Sequence, residues 1–221
     1  MAGRLRLEMK PADPTINAFA SVAGGDVPMI TLLGGAIRFA NLIAAAFVGA
    51  TAAKEKNDSQ SPLPEITAAL GKWCLERHAA FSAADAAEFA AKYNLNLVMD
   101  DPMLARKVKS FAAGLLTGIL AHELGHLSLG HCYGRRVNLE VSRNQEREAD
   151  SFASSVISSS PFGDYLIFGT ILWELVWVWV EKAIGREATT HPLSSERLGD
   201  LIRANPSIAA DLGLSADRLG V

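Results

Sequence analysis

Residues 122–126 read His-Glu-Leu-Gly-His, two histidines four apart with a glutamate directly after the first. On a helix, positions i and i+4 share a face, so both imidazoles point the same way. Two ring nitrogens placed like this can each hold a Zn²⁺ ion at about 2.0–2.1 Å. Glu123, one residue on from His122, reaches a metal-activated water and is placed as general base rather than as ligand. With five His and 13 Glu in 221 residues, random order gives roughly 0.007 such patterns. The alternative is a pair of surface histidines. The apolar flanks FAAGLLTGILA and LSLG argue against it, because buried His and Glu need partners and a metal supplies them.

A catalytic zinc takes three protein ligands and leaves a fourth position to water. Three residues compete for third ligand. His131 lies five residues after His126, about 140° round a continued helix, and points away from the metal face. It reads as a helix-end residue beside the negative end of the dipole. Glu146 sits in the run Glu146-Arg147-Glu148-Ala149-Asp150, and a helix antiparallel to the first returns it to the metal. Asp150, one turn further on the same face, is placed to accept the free N–H of a ligating histidine. The small Ala149 permits close helix approach. Glu148 falls on a different face and reads as exposed. Glu146 is the favoured ligand.

These residues need helices to position them. The metal-site helices are expected within 103–160, one over 103–132 ended by Gly134 and another over 144–159. Upstream, residues 14–33 read as a β hairpin around Gly24-Gly25-Asp26, where glycine supplies a positive φ. Gly34-Gly35 marks a break before an apolar helix over 36–53. Residues 54–64, polar with two prolines, read as a flexible loop. Helices are expected over 65–80 and 83–93, the second capped by Ser82 with Asp85 three residues on. A hydrophobic helix spans 163–184. His191-Pro192 forces an extended step, and a C-terminal helix closes the region 191–205. The fold class is α+β, mostly helical, as a single metallopeptidase domain over 1–221.

Composition sets limits on partners. Apolar residues make up 49% and charged residues 20%, a globular balance. A net charge of −3 gives no basic excess for nucleic acid. Two cysteines imply no disulfide framework. The N-terminal residues lack a secretory pattern, so a cytoplasmic location is expected. Segments 29–53 and 163–184 approach the roughly 20 apolar residues of a spanning helix. Arg38 and Asn41 in one and Glu174 in the other favour buried core helices, with membrane contact as the second option. Trp173 and Trp177 at i,i+4 read as a core stripe, although with Trp179 they also offer a partner surface.

The order HELGH, then Glu146-x-x-Ala149-Asp150, resembles the gluzincin metallopeptidases. Within them it is similar to the family of the CAAX prenyl endopeptidase and the bacterial heat-shock membrane protease. Asn17-Ala18-Phe19-Ala20 with Gly24-Gly25 resembles that family's substrate-cleft strand, and His191-Pro192 with Arg197 its C-terminal signature. The resemblance implies a zincin-like core holding one Zn²⁺ through His122, His126 and Glu146, with Glu123 as base and Asp150 behind the ligands. It also implies that His191 sits near the cleft and stabilises the oxyanion, and that Arg197 pairs with an acid near the site. The expected activity is endoproteolysis of a peptide or protein bound along residues 16–22 by β-augmentation. Two other readings use the same residues. One is a regulatory protease gated by loop 54–64; the other is a non-catalytic, zinc-stabilised interaction protein.

Overall fold

The computed structural model describes residues 5–23, 27–55, 63–133, 138–184 and 193–211. Three strands come first: β1 (Arg6–Lys10), β2 (Ala18–Ala23) and β3 (Val27–Leu33). β2 and β3 pair antiparallel with Ala20 opposite Ile30, as the hairpin reading requires. β1 adds a third strand, parallel to β3 with Leu7 opposite Ile30, so the sheet order is β1-β3-β2. β2 is therefore an edge strand. Asn17 C=O accepts from Leu33 N–H at 3.1 Å, so odd residues of β2 bond to β3. Ala18, Ala20 and Val22 turn their backbone groups to the free edge.

Helix α1 (Gly34–Glu55) starts directly on Gly34, where the sequence suggested a break. The two glycines are needed for close approach, not for termination. A Cβ on Gly34 would meet Pro11 O at 2.1 Å, and one on Gly35 would meet Pro14 O at 2.0 Å. α1 is long and apolar enough to cross a membrane by length and composition. In the fold it is the central core helix: Phe39, Ala40, Ile43, Ala44 and Ala45 have 1% or less of their surface exposed. Arg38 is consumed internally. It donates to the carbonyls of Phe81, Pro11 and Asp13 at 2.7, 2.9 and 3.0 Å.

Helices α2 (Leu63–Glu76), α3 (Ala83–Lys92) and α4 (Leu95–Asp100) follow. Ser82 caps α3 in a full capping box with Asp85. Asp101 accepts from Met103 N–H and Leu104 N–H at 2.8 and 3.0 Å to start α5 (Pro102–Ser128), with proline in the first turn. α5 stops four residues earlier than expected. The stop is Gly130, at φ +80°, and Gly134 lies outside the described residues. His131–Tyr133 then form a 3₁₀ turn. Helix α6 (Leu139–Ser158) starts five residues earlier than read, because Asn138 caps it through Val141 N–H at 2.9 Å. Helices α7 (Gly163–Ile184), α8 (Ser194–Ala204) and α9 (Pro206–Asp211) complete the chain. Most of loop 54–64 lies outside the described residues, as does the step at His191-Pro192. Trp173 meets Phe39 edge-on at 5.4 Å and lies 6.3 Å from Trp177, which is the core stripe.

α5 packs against α1, α6 and α7. Its contact with α6 is set by backbone. A Cβ on Gly125 would lie 3.0 Å from both Ala149 Cα and Ala149 O, and Ala149 has no exposed surface. This is the close approach that small residues allow, and it falls between His126 and Glu146. Ala149→Leu should wedge the two helices apart and cost about 1–3 kcal/mol. Urea unfolding would show this as a lowered midpoint, and an unchanged midpoint would refute the contact.

Candidate active site

His122 and His126 project from one face of α5, and Glu146 meets them from the antiparallel α6. His122 Nε2 lies 3.1 Å from His126 Nε2 and 3.2 Å from Glu146 Oε2. His126 Nε2 lies 3.5 Å from Glu146 Oε1. Glu146 is 6% exposed. The three residues converge with one ligand atom each. Glu146 turns a different oxygen to each histidine, and with one atom from each residue the three donors lie within 4.8 Å of one another, a grouping that could hold a metal ion. The two-nitrogen, one-carboxylate donor set fits zinc.

The outer nitrogens fix the rings. His122 Nδ1 bonds Asp150 Oδ1 at 2.8 Å. A carboxylate only accepts, so Nδ1 carries the proton and Nε2 is free to face the cluster. Asp150 is gripped in turn by Arg197, whose Nε and NH2 donate to its two oxygens at 2.8 and 2.7 Å. Arg197 NH1 also reaches Glu174 Oε1 at 3.3 Å. Glu174, 2% exposed in the middle of α7, is therefore the buried anchor of this fork. Sequence reading weighed Glu174 only as a cost of membrane insertion.

Burial works against the charge on Asp150, but His122 and Arg197 outweigh it and hold its carboxyl below the usual range. Burial pushes Glu174 up, with Arg197 opposing. Burial alone would lower His122, but its bonds to Asp150 and Glu146 raise it to about 9. A proton on Nε2 and a metal ion compete for one lone pair.

Glu123 sits beside His122 on α5. Its Oε2 accepts from Ala20 N–H at 2.7 Å, one of the outward amides of β2. The edge strand thus lies against the general-base candidate. Burial raises the Glu123 pKa, while His122, His126 and the Ala20 bond oppose it. A cavity of about 630 Å³ opens beside His122, Glu123 and Glu146, with Leu115, Ile119 and Trp173 among its apolar walls.

Two sequence readings change. His131 is not on a continued helix, so the 140° argument does not apply. The 3₁₀ turn brings its Nδ1 to 3.0 Å from His126 Nδ1. Glu148 is exposed as read, yet its Oε2 lies 3.0 Å from His131 Nε2. Glu174 and His131 were both missed. The signal for Glu174 was a lone acid in an apolar run; for His131 it was a histidine just after a glycine able to end α5. His191 lies outside the described residues. Cys74 and Cys132 are free thiols; burial pushes Cys74 up to about 12.

The fold and site define a mostly helical α+β protein with a His/His/Glu cluster beside a half-buried glutamate. The family model described as Peptidase U49 matches residues 97–212, more than half of the chain and all of α5 to α9. The chain belongs to the Peptidase U49 family, and a peptidase acts on a peptide or protein. No curated protein and no solved structure matches it.

Two outcomes follow from this geometry. With no metal bound, the His122 pKa of about 9 lies above its ordinary 6.5. The bound proton then stabilises the fold fully below about pH 6.5, and this contribution is lost as pH rises through about 9. Melting temperature should fall across that window, and a flat profile would contradict it. Arg197→Ala should cost on the order of 3–5 kcal/mol, because Glu174 is left buried without its partner and half-buried Asp150 keeps only His122. Denaturant unfolding measures this, and a loss below about 1 kcal/mol would show that the fork is not structural.

Proposed function

We propose that this peptidase is a zinc-dependent metalloendopeptidase, with His122, His126 and Glu146 as metal ligands and Glu123 as general base. The observation that carries the reading is the convergence of two imidazole nitrogens and a buried carboxylate at 3.1–3.5 Å, with Glu123 beside them. The order of these residues along the chain also supports the gluzincin class, near the CAAX prenyl endopeptidase and heat-shock membrane protease family.

Held by His122, His126 and Glu146, Zn²⁺ would supply Lewis acidity and would lower the pKa of water toward about 7. Glu123 takes the proton from the attacking water and later delivers it to the leaving amine. A carboxyl raised by burial suits both steps, since the best acid–base catalyst has a pKa near the working pH. The substrate lies along the free edge of β2, where Ala18 and Val22 present N–H and C=O groups and Ala20 its C=O, its N–H being held by Glu123, and the neighbouring cavity takes an apolar side chain. Asp150 and Arg197 hold His122 in the required tautomer. His191, outside the described residues, is the proposed donor to the oxyanion, a role that the resemblance to the family implies.

The sheet donates to Glu123 across 103 residues of chain, which supports reading residues 1–221 as one catalytic domain. α1 and α7 serve as core helices in this reading, supported by the internal bonds of Arg38 and Glu174.

Glu123→Gln should keep one zinc per chain and lose about 10²–10⁴-fold in peptide turnover. His126→Ala should lose the zinc. Metal analysis with a broad peptide-cleavage assay reads both. Normal cleavage by Glu123→Gln, or full zinc occupancy in His126→Ala, would sink the assignment.

A further inference from the structure

His122 has an evident outer partner in Asp150. The second proposed ligand has one too, and it comes from a residue with no role so far. His126 Nδ1 lies 3.0 Å from His131 Nδ1, and His131 Nε2 lies 3.0 Å from Glu148 Oε2. The His131 side chain is 8% exposed, and its ring meets that of His126 at 69° with 5.1 Å between centroids. Gly130, at φ +80°, turns the chain back so that the 3₁₀ turn can place His131 there.

The proton positions have one consistent solution. With Nε2 of His126 facing the cluster, its Nδ1 carries the hydrogen and donates it. His131 Nδ1 must then accept, which leaves the His131 hydrogen on Nε2. Nε2 faces the Glu148 carboxylate, and a carboxylate accepts. A simple helix-capping role does not account for this. Leu129 N–H and Gly130 N–H already serve the last α5 carbonyls, and both His131 nitrogens are spent on side chains.

We propose that His131, oriented by Glu148, is a positioning residue that sets the tautomer and ring angle of His126 for metal binding. The inference rests on the zinc reading of the site. It divides the acids of one α6 segment into three jobs: Glu146 meets the metal, Asp150 backs His122, and Glu148 backs His126 through His131. The two arms differ in kind. Asp150 is a charged acceptor gripped by Arg197, whereas His131 is a neutral acceptor tied to an exposed carboxylate, the weaker of the two arrangements.

The test is zinc affinity of the full chain after chelator treatment, measured by competition with a chromophoric chelator. His131→Phe keeps the ring and removes the acceptor, while His131→Asn keeps an acceptor near the position of Nδ1. Losing an outer partner of a ligating histidine typically costs about 10–100-fold in metal affinity. His131→Phe should therefore bind zinc at least about 10-fold more weakly, and its Co²⁺ form should show shifted visible bands. His131→Asn should stay within about 3-fold of wild type. Equal affinity in wild type and His131→Phe overturns this inference and leaves the zinc site standing. If wild type takes up no zinc, both fall. Should His131→Phe melt early without metal, His131→Asn against His131→Gln decides. Gln moves the acceptor to the Nε2 position and should lose affinity, and equal values for the two would overturn the proposal.

Discussion

Arg197 bridges two acids that come from different helices. Asp150 comes from α6 and Glu174 from α7, and both approach a guanidinium on α8. Glu174 has almost no exposed surface. An isolated carboxylate there would give up its charge rather than bear the desolvation. Arg197 keeps the pair in place, and Asp150 then orients His122 on α5. One side chain therefore links four helices and sets the first proposed ligand. The separation of α5 and α6 is fixed independently by the Gly125–Ala149 contact. The cluster distances follow from these two constraints together.

The chemistry sits where two kinds of structure meet. Helices supply the proposed ligands and their outer partners. The sheet supplies an edge, and through Ala20 N–H it reaches Glu123. The matched family span begins in α4, so it covers the helical part of the site, while the edge strand lies outside it. Peptide hydrolysis needs both, since reactive groups cut nothing that is not held in register beside them.

Much of this was legible in the sequence for local reasons. HELGH fixes two histidines on one helical face whatever surrounds them. Ser82 with Asp85, and Asp101 before Pro102, are caps whose partners lie within three residues. An antiparallel helix after HELGH brings Glu146 back to the histidines, and Asp150 follows on the same face because i and i+4 share one. The failures are long-range or depend on one torsion. β1 pairs with β3 across the intervening β2, and Arg-Leu-Glu-Met-Lys carries too weak a signal to reveal a parallel partner. Gly130 takes the left-handed turn and α5 ends at Ser128, four residues before the expected bound, which moves His131 from the far side of a helix to the side of His126. Arg38 and Glu174 were weighed against a membrane. Their partners, the carbonyls of Pro11, Asp13 and Phe81 and the guanidinium of Arg197, are not readable from the neighbouring residues.

The bonds around the site also order events in time. Ala20 meets Glu123 across 103 residues, and Asp150 meets Arg197 across 47. No short stretch of chain can assemble these contacts alone, because each needs a loop closed first. During synthesis the HELGH segment emerges well before Arg197. Until that arginine is available, Asp150 and Glu174 lack their shared counter-charge and His122 lacks a fixed orientation. A nascent chain would therefore carry the residues of a protease without its site, and cutting power would arrive only once the last of the linked helices had docked.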